Sequence, residues 1–229
     1  MRIIKDKNAI IRMFHVHKRY GAKQALIDIS LDVKKNEFLF VNGPSGAGKS
    51  TLLRLLYLGT PVSEGQILVD GINLSRIPQS KIPYLRRKIG IIFQDYKLIH
   101  TKTVYENVAL VLEAMGKKKV IIDKKVKNVL LTVGMKSRQD ALPPTLSGGE
   151  QQRVAVARAI VGDPKIILAD EPTGSLDSES SRAIMDLLEK YYIRGATIII
   201  ATHDKSIIKQ TDAKVVELSE GRLLSNTKI

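Results

Sequence analysis

The sequence predicts an α/β fold in which a parallel, doubly wound sheet carries an inserted helical region. Short apolar runs, typical of strands buried on both faces, recur along the chain and are separated by helical patterns. The apolar runs lie at 38–41, 89–93, 166–169 and 197–201. The helical patterns include 50–58, 151–161 and 180–191. Because strands that alternate with helices pair through crossover connections, this order indicates a parallel sheet.

The first forty residues are predicted to form strands without intervening helices. The segments 10–16 and 26–33 are short or alternate between apolar and polar residues. Tyr20-Gly21 and the polar run 34–36 break them. We therefore expect two strands before the first buried strand.

The stretch from about 96 to 142 has helical periodicity and no strong strand signal, which predicts a helical insertion into the α/β core. One face of this pattern carries Val126, Val129, Leu130 and Val133. The Leu-Pro-Pro-Thr run at 142–145 ends the insertion. We expect one domain over 1–229, with an α/β core at about 1–95 and 155–229 and a helical subdomain at about 96–154.

Composition excludes several classes of protein. Apolar residues make up 44% of the 229, enough for one sizeable core, and charged residues make up 26%. The absence of cysteine excludes disulfides and thiolate metal sites and fits a reducing cytosol. No window reaches the roughly 18 apolar residues of a membrane span, so we expect a soluble chain that reaches a membrane only through another protein.

The formal charge of +14 is large for this length. Basic residues cluster at 86–88, 117–119 and 124–127. Such a surface attracts anionic lipid headgroups, nucleic acid or free nucleotide, although a solvated helix face also accounts for it. Aromatic residues make up only 5% and tryptophan is absent, so stacking on nucleic-acid bases is poorly supplied and no nucleic-acid partner is expected.

The segment 43–50 matches the phosphate-loop pattern G-x-x-x-x-G-K-[ST] between a buried strand and a helix. Glycines let successive backbone N–H groups converge on phosphates, and the helix N-terminus adds a positive dipole end. We expect Lys49 to reach the β- and γ-phosphates and the Ser50 hydroxyl to bind Mg²⁺. The predicted nucleotide contacts are Gly43, Pro44, Ser45, Gly46, Ala47, Gly48, Lys49, Ser50 and Thr51.

Two acidic residues follow the apolar run 166–169. A buried strand delivers Asp170 to the carboxyl edge of the sheet, where it can hold Mg²⁺ directly or through water. Glu171 points elsewhere and is well placed to accept a proton from an attacking water. The same two acids would also suit an ordinary helix start, but together with a phosphate loop they predict phosphoryl transfer.

The segment 146–151, Leu-Ser-Gly-Gly-Glu-Gln, precedes a helix. Locally, Ser147 and Glu150 form the pattern of a capping box. Capping does not require the intervening Gly148 and Gly149, which expose backbone N–H groups and favour a second anion site. Two anion sites on one chain would serve one nucleotide if two chains met head to tail.

The segment 146–151 resembles the signature motif of the ABC ATPases. Other positions match that family in order: Tyr20 resembles the aromatic that stacks on adenine, and Gln94 the glutamine between the sheet and the helical insertion. The loop from Ser175 to Asp177 resembles the one that crosses the dimer interface, and His203 the switch histidine at the γ-phosphate. Taken alone, Tyr20 could pack, Gln94 could cap and His203 could simply be hydrogen-bonded.

This resemblance implies a P-loop, RecA-like core with an N-terminal antiparallel β subdomain and an inserted α-helical subdomain. It also implies a Mg-dependent ATPase in which two chains sandwich two ATP molecules, each between the phosphate loop of one chain and the signature of the other. Glu171 would be the general base and His203 the γ-phosphate sensor. Ser50, Gln94 and Asp170 would hold Mg²⁺, and Gln94 would link the nucleotide to a membrane partner.

Within that superfamily, the segments 82–95 and 103–109 resemble the bacterial cell-division ATPases of the FtsE family, with weaker support from 168–174. The resemblance implies an integral membrane partner of the FtsX type and a location on the inner face of the bacterial cell membrane. It implies control of peptidoglycan hydrolases rather than solute transport. Ser175, where asparagine is usual, and the lysine-rich stretch 117–127 depart from the family pattern.

Two other functions share most of these motifs. The ATPase of a lipoprotein-release or macrolide-efflux transporter would differ in the partner docked near Gln94 and Tyr96. A soluble ABC ATPase acting on DNA or ribosomes would be supported only by the basic charge. His15 and His17, spaced to face one side of a strand, could bind a metal, but no third ligand is evident and a solvated strand face is the preferred interpretation.

Overall fold

The computed structural model describes residues 8–174, 176–209, 211 and 213–228, the last four of these through their backbone alone. The predicted interface residue Ser175 lies outside the described residues. The chain divides into two compact units, one formed by residues up to 82 together with those from 201 onward, the other by residues 83–200. The predicted division into an α/β core and a helical subdomain remains a prediction.

The first unit contains an antiparallel sheet built from β1 (Ala9–Tyr20), β2 (Lys23–Lys34), β4 (Glu64–Val69) and β5 (Ile72–Asn73). Its strand order is β2-β1-β4-β5. Bulges interrupt the β1–β2 register, and the residue at one of them, His15, has a left-handed backbone with φ of 46°. The predicted N-terminal antiparallel sheet is confirmed, and it is larger than the two strands expected from the sequence.

The same unit contains β3 (Phe38–Asn42), α1 (Lys49–Leu56), α7 (Lys205–Ile208), β9 (Lys214–Ser219) and β10 (Arg222–Lys228). β3 pairs in parallel with β9, which pairs antiparallel with β10. The first four residues of β3 are buried, as its uninterrupted apolar run predicts. The loop that follows β3 therefore begins at the carboxyl end of a buried parallel strand.

The second unit contains α2 (Ile82–Arg86, of which Ile82 belongs to the first unit), β6 (Ile89–Ile92), α3 (Val104–Ala114), α4 (Lys119–Thr132), α5 (Gly148–Ile160), β7 (Ile166–Asp170) and α6 (Ser178–Ile193). β6 and β7 pair in parallel, and β8 (Thr197–Thr202), which leads back to the first unit, flanks β7. Helix α5 packs against α3, α4, α6 and β6. It is therefore the central helix of this unit.

The apolar patterns identified in the sequence form the cores of these elements. The four predicted buried strands correspond to β3, β6, β7 and β8, and the three predicted helices to α1, α5 and α6. In α4, Val126, Val129, Leu130 and the following Val133 are all buried, which confirms the predicted helical face. No helix in the described part of the chain is long and apolar enough to cross a bilayer.

Candidate functional site

The loop between β3 and α1 lies against the backbone of two neighbouring strands. A Cβ atom at Gly43 would lie 2.0 Å from the carbonyl oxygen of Leu218 on β9. At Gly48, where φ is +107°, it would lie 2.6 Å from the carbonyl oxygen of Ala25 on β2. Only glycine avoids both clashes, so these two residues are required for the shape of the loop as well as for access to its N–H groups.

Helix α1 begins directly after this loop, with Gly48 as its N-cap and no side chain capping it. Its first turn carries no acidic residue and contains Lys49, Ser50 and Thr51. Uncapped N–H groups, the helix dipole and the absence of negative charge together favour an anion at this position. The phosphate loop thus has the local electrostatics that its sequence pattern predicts.

Lys49 is buried, with 7% of its surface exposed. Its ammonium donates hydrogen bonds to the carbonyl oxygens of Gly43 at 2.7 Å and Pro44 at 3.2 Å. The loop therefore holds this positive charge against its own backbone. A phosphate oxygen offers the ammonium a charge-assisted bond that is stronger than a bond to a neutral carbonyl.

Tyr20, the predicted adenine-stacking residue, is the last residue of β1 and is 44% exposed. The ammonium of Lys18 lies 4.7 Å from the centre of its ring and donates a 2.7 Å hydrogen bond to the carbonyl oxygen of Pro61. This cation–π contact restrains the ring. An exposed ring held in this way can stack on a planar base.

His203 follows β8 in the first unit and is exposed. The next residue, Asp204, caps α7 by accepting a 2.8 Å hydrogen bond from the Ser206 N–H. The hydrogen bond from the Ser206 hydroxyl is the main cause that lowers the pKa of Asp204, and nearby His203 lowers it further. The predicted γ-phosphate sensor therefore sits at the end of a buried strand beside a carboxylate that stays ionised at neutral pH.

In the second unit, Gln94 and Asp170 lie at the same edge of the parallel pair β6–β7. Ile92 is in register with Ala169, so the residues that follow both strands emerge side by side. Their amide and carboxylate oxygens are hard donors of the kind that Mg²⁺ prefers, and the hydroxyl of Ser50 is a donor of the same chemical type. The donor chemistry of the predicted metal ligands is therefore suitable.

Glu171, the predicted general base, has only 9% of its surface exposed. Its φ of 46° is left-handed, which is uncommon for a residue with a Cβ. Its carbonyl oxygen accepts a 3.2 Å hydrogen bond from the Gly174 N–H, which closes a tight turn immediately after β7. Strained backbone of this kind is concentrated at functional sites.

The N-terminus of α5 carries the predicted capping box. The Ser147 hydroxyl accepts from the Glu150 N–H at 3.2 Å, and the Glu150 carboxylate accepts from the Ser147 N–H at 2.9 Å. This second bond lowers the pKa of Glu150. The box uses neither the Gly148 N–H nor the Gly149 N–H, so capping and a second anion site are compatible.

The two glycines of this segment also lie close to side chains of other elements within the second unit. A Cβ at Gly148 would lie 3.2 Å from the Tyr96 hydroxyl, and one at Gly149 would lie 2.9 Å from the Ser180 hydroxyl. Ser180 donates from its backbone N–H to Asp177, the N-cap of α6, at 2.8 Å, which is the main cause that lowers the Asp177 pKa. The signature segment and Asp177 are therefore neighbours.

Two residues of α5 that the sequence analysis did not select tie this helix to the predicted catalytic loops. The Arg158 guanidinium donates 2.6 Å hydrogen bonds to the carbonyl oxygens of Tyr96 and Lys97, just after Gln94. The buried Gln152 amide donates at 2.5 Å to the carbonyl oxygen of Pro172, just after Glu171. Both residues are polar and lie on a helix whose other residues are mostly buried and apolar. This contrast is the only feature of the sequence that could have identified them as functional.

The structure assigns the predicted residues to the two units as follows. The first unit contains Tyr20, the phosphate loop 43–51 and His203. The second contains Gln94, Ser147, Gly148, Gly149, Glu150, Asp170, Glu171 and Asp177. Within the second unit, the contacts above bring the signature segment, the loop after Gln94 and Asp177 together.

His15 and His17 do not share one environment. His15 is exposed and its Nδ1 lies 2.7 Å from the Asp28 carboxylate. His17 is partly buried and accepts a weak, 3.4 Å hydrogen bond from the Asp28 N–H. The left-handed backbone at His15 breaks the strand alternation that would place the two rings on one side.

Comparisons with known proteins found relatives of this chain. A profile of the ABC transporter family matches residues 26–174. The cell division ATP-binding protein FtsE of Mycobacterium tuberculosis is 48% identical over 94% of this chain and 94% of that protein. FtsE of Escherichia coli is 42% identical over 93% of this chain and 97% of that protein.

A solved structure shares the fold. The ATP-binding cassette MJ0796, determined as a dimer in a post-hydrolysis state bound to ADP and Pi, superposes with a TM-score of 0.89 at 33% identity. The match covers 95% of this chain and 98% of that one. The family profile covers more than half of the chain and the FtsE relatives are 42–48% identical over more than nine tenths of it, so the chain belongs to the ABC transporter family and, within it, to the FtsE family of cell division ATP-binding proteins.

Proposed function

We propose that this chain binds and hydrolyses ATP as the nucleotide-binding subunit of an FtsE-type membrane complex. The observation that carries the proposal is the start of α1, where an uncapped helix N-terminus, a first turn without acids and a buried Lys49 follow a glycine-shaped loop. This arrangement suits the polyphosphate of a nucleotide. The post-hydrolysis state of the related cassette MJ0796, bound to ADP and Pi, supports hydrolysis.

The proposed phosphate contacts are divided among side chains with different chemistry. Lys49 exchanges its carbonyl acceptors for the β- and γ-phosphates, and Tyr20 stacks on the adenine. Ser50, Gln94 and Asp170 would hold Mg²⁺, which would offset the negative charge of the phosphates. His203 contacts the γ-phosphate from the end of β8.

Glu171 is proposed to orient the attacking water and accept its proton. Its backbone forms a hydrogen-bonded tight turn directly after β7, and the side chain is mostly buried. The turn is held in place by Gln152 through Pro172. This support limits the conformational search needed to reach the reacting geometry.

Two chains are proposed to form a head-to-tail dimer with two ATP molecules at the interface. In each composite site, the phosphate loop of one chain would face Ser147, Gly148 and Gly149 of its partner. The N–H groups of the two glycines lie outside the capping box and are suited to the γ-phosphate. The dimeric state of the MJ0796 cassette supports this arrangement.

The complex is proposed to lie on the inner face of the bacterial cell membrane, where ATP-driven closure of the dimer acts through an integral partner of the FtsX type. The FtsE relatives are named as cell division proteins, which supports cell division as the output. That output is proposed to be the control of peptidoglycan hydrolases. Solute transport is not required by this proposal. The partner would dock near Gln94 and Tyr96, the segment held by Arg158.

The proposed chemistry is tested with Glu171→Gln. The variant should bind ATP with wild-type affinity, because the phosphate loop is unchanged, and hydrolyse it at least about 100-fold more slowly, because the base is lost. Phosphate release and equilibrium nucleotide binding measure the two effects. Hydrolysis at the wild-type rate would remove Glu171 from the mechanism.

The proposed membrane role is tested by purifying the tagged chain from native membranes in mild detergent and identifying the protein retained with it. Recovery of an FtsX-like protein supports the division role. Recovery of a lipoprotein-release or efflux permease would leave the proposed ATPase mechanism unchanged and would reject the proposed role in cell division.

A further inference from the structure

The outer face of α4 combines exposed apolar side chains with lysines. Val120, Lys124, Lys127 and Leu131 follow the spacing i, i+4, i+7, i+11, which places them in one stripe along a helix. Val120 is 79% exposed and Leu131 is 62% exposed. We call this stripe the α4 outer surface. Val120 and Leu131 are among the most exposed large apolar side chains of the described residues, and here they flank two lysines in the same stripe.

The opposite face of α4 fixes the helix in the second unit. Ile122, Val126, Val129 and Leu130 are buried, and α4 packs against α3 and α5. The helix therefore cannot turn about its axis to bury the apolar residues of the outer surface. Substitutions on it leave the buried face intact.

Charge on this segment is strongly one-sided. Between 117 and 136 there are seven lysines and one acidic residue, Asp123. The Asp123 carboxylate accepts a hydrogen bond from the Tyr105 hydroxyl, whose pKa burial and this bond raise to about 12. The ammonium of Lys125 pairs with Asp163. Six of the seven lysines are exposed, and five of them, 117, 118, 119, 124 and 127, lie on or beside the outer surface.

We propose that the α4 outer surface binds the anionic headgroups of a phospholipid membrane. A cluster of exposed lysines with few acidic residues is attracted to the negative surface potential of anionic lipids, and Val120 and Leu131 add apolar contact beside it. The aliphatic part of a lysine covers apolar surface while its ammonium reaches the phosphates. Neither tryptophan nor a run of aromatics accompanies these lysines, so a bilayer accounts for the exposed Val120 and Leu131 better than nucleic acid does.

This inference extends the proposed membrane association, because it gives the chain a contact with lipid that is separate from its protein partner. It does not involve any residue assigned to nucleotide binding or hydrolysis. Vesicle binding and ATP hydrolysis can therefore be measured independently on the same purified protein. If vesicle binding fails, the ATPase result still tests the proposed function, and if hydrolysis fails, vesicle binding still tests the lipid contact.

The test is flotation of the full chain with vesicles of phosphatidylcholine, with and without phosphatidylglycerol. Binding should require phosphatidylglycerol and weaken as salt is raised. Lys124→Gln with Lys127→Gln should weaken it about 25-fold, since each lysine near an anionic surface contributes roughly fivefold. Val120→Ser with Leu131→Ser should weaken it without changing its dependence on salt.

A matched control removes two exposed lysines from elsewhere, Lys190→Gln with Lys209→Gln, and gives the same change in net charge. The control should bind vesicles nearly as well as the wild type, and both lysine variants should keep wild-type ATP hydrolysis. The proposal is overturned if the control loses as much binding as the α4 variant, since net charge alone would then account for binding. It is also overturned if the wild type ignores anionic vesicles, which would point to an acidic protein partner instead.

Discussion

At the scale of single residues, the most informative side chains are two that no catalytic motif includes. Arg158 and Gln152 both project from α5, and each bonds to the backbone of a loop that carries a predicted catalytic residue. Arg158 holds the carbonyls of Tyr96 and Lys97, two and three residues after Gln94, and both residues have left-handed backbones with φ of 58° and 51°. Strained backbone persists only where the surroundings over-determine it. Arg158 is accordingly a positioning residue.

Replacing Arg158 should slow hydrolysis more than it weakens ATP binding. Arg158→Lys keeps the charge but cannot reproduce the forked pair of hydrogen bonds, so the loop after Gln94 loses its fixed geometry. A misplacement of about 1 Å at a reacting centre can cost on the order of 100-fold in rate. Steady-state kinetics should therefore show a lower kcat and a nearly unchanged KM.

Arg182→Gln, an exposed arginine on α6, is the control and should behave as wild type. Arg158→Met should lower stability, on the order of 1–3 kcal/mol in all, because it removes one part-buried and one exposed charge-assisted hydrogen bond. If Arg158→Lys raised KM and left kcat unchanged, Arg158 would act on nucleotide affinity rather than on the position of the loop.

At the scale of elements, buried periodic segments could be predicted from the sequence and polar pairings could not. β3, β6, β7 and β8 were found because an uninterrupted apolar run of four or five residues between turn signals is typical of a strand buried on both faces. β4 was missed because its first three residues are exposed and polar or glycine. β9 was missed because the exposed Glu217 interrupts its apolar run.

The same distinction applies to the candidate site. The phosphate loop and the acids after β7 could be predicted because their chemistry needs fixed residue types at fixed spacing. Gln152 and Arg158 could not, because their partners are backbone carbonyls of Pro172, Tyr96 and Lys97. Any residue supplies a carbonyl, so only the fold determines which of them a side chain reaches.

The two interpretations of the α5 N-terminus can be separated by three substitutions of Ser147. Asn and Asp cap helices about equally well, whereas Ala costs about 1 kcal/mol of stability. Ser147→Asn and Ser147→Asp should therefore unfold at similar temperatures, above Ser147→Ala. If the N-terminus receives phosphates, the added carboxylate of the Asp variant repels them.

Hydrolysis should then fall much more in Ser147→Asp than in Ser147→Asn, while binding of nucleotide by the isolated chain stays near wild type in both. Thermal unfolding and phosphate release, measured on the three variants together, provide the comparison. Equal hydrolysis by the Asn and Asp variants would leave capping as the whole role of the Ser147–Glu150 pair.

At the scale of the whole molecule, the predicted nucleotide contacts are divided between the two units of the chain. Tyr20, the phosphate loop and His203 belong to the first unit, and the signature segment with Glu171 to the second. A head-to-tail dimer assigns the signature segment of each chain to the nucleotide of its partner. Such an interface has two-fold symmetry and is isologous. A substitution in the phosphate loop of one chain therefore affects one composite site, and a substitution in the signature of the same chain affects the other.

This symmetry predicts complementation between two inactive chains. Lys49→Ala removes the charge that binds phosphate, and Ser147→Asp disables the signature, so each variant alone has two defective sites. In a mixed dimer both defects fall in one composite site, and the other site is intact. An equimolar mixture should therefore recover up to about one quarter of the wild-type rate, since about half of the dimers are mixed and each has one working site.

Phosphate release measures the recovery. Sedimentation with ATP, on chains that also carry Glu171→Gln, measures whether mixed dimers form. If mixed dimers form but the mixture recovers no activity, one of two explanations holds. Either both sites must be intact for hydrolysis, or each nucleotide is bound and hydrolysed by a single chain. A covalently linked dimer of one wild-type chain and one Ser147→Asp chain distinguishes the two explanations. It should be inactive if both sites must be intact, and should have about half of the wild-type rate if each chain hydrolyses its own nucleotide.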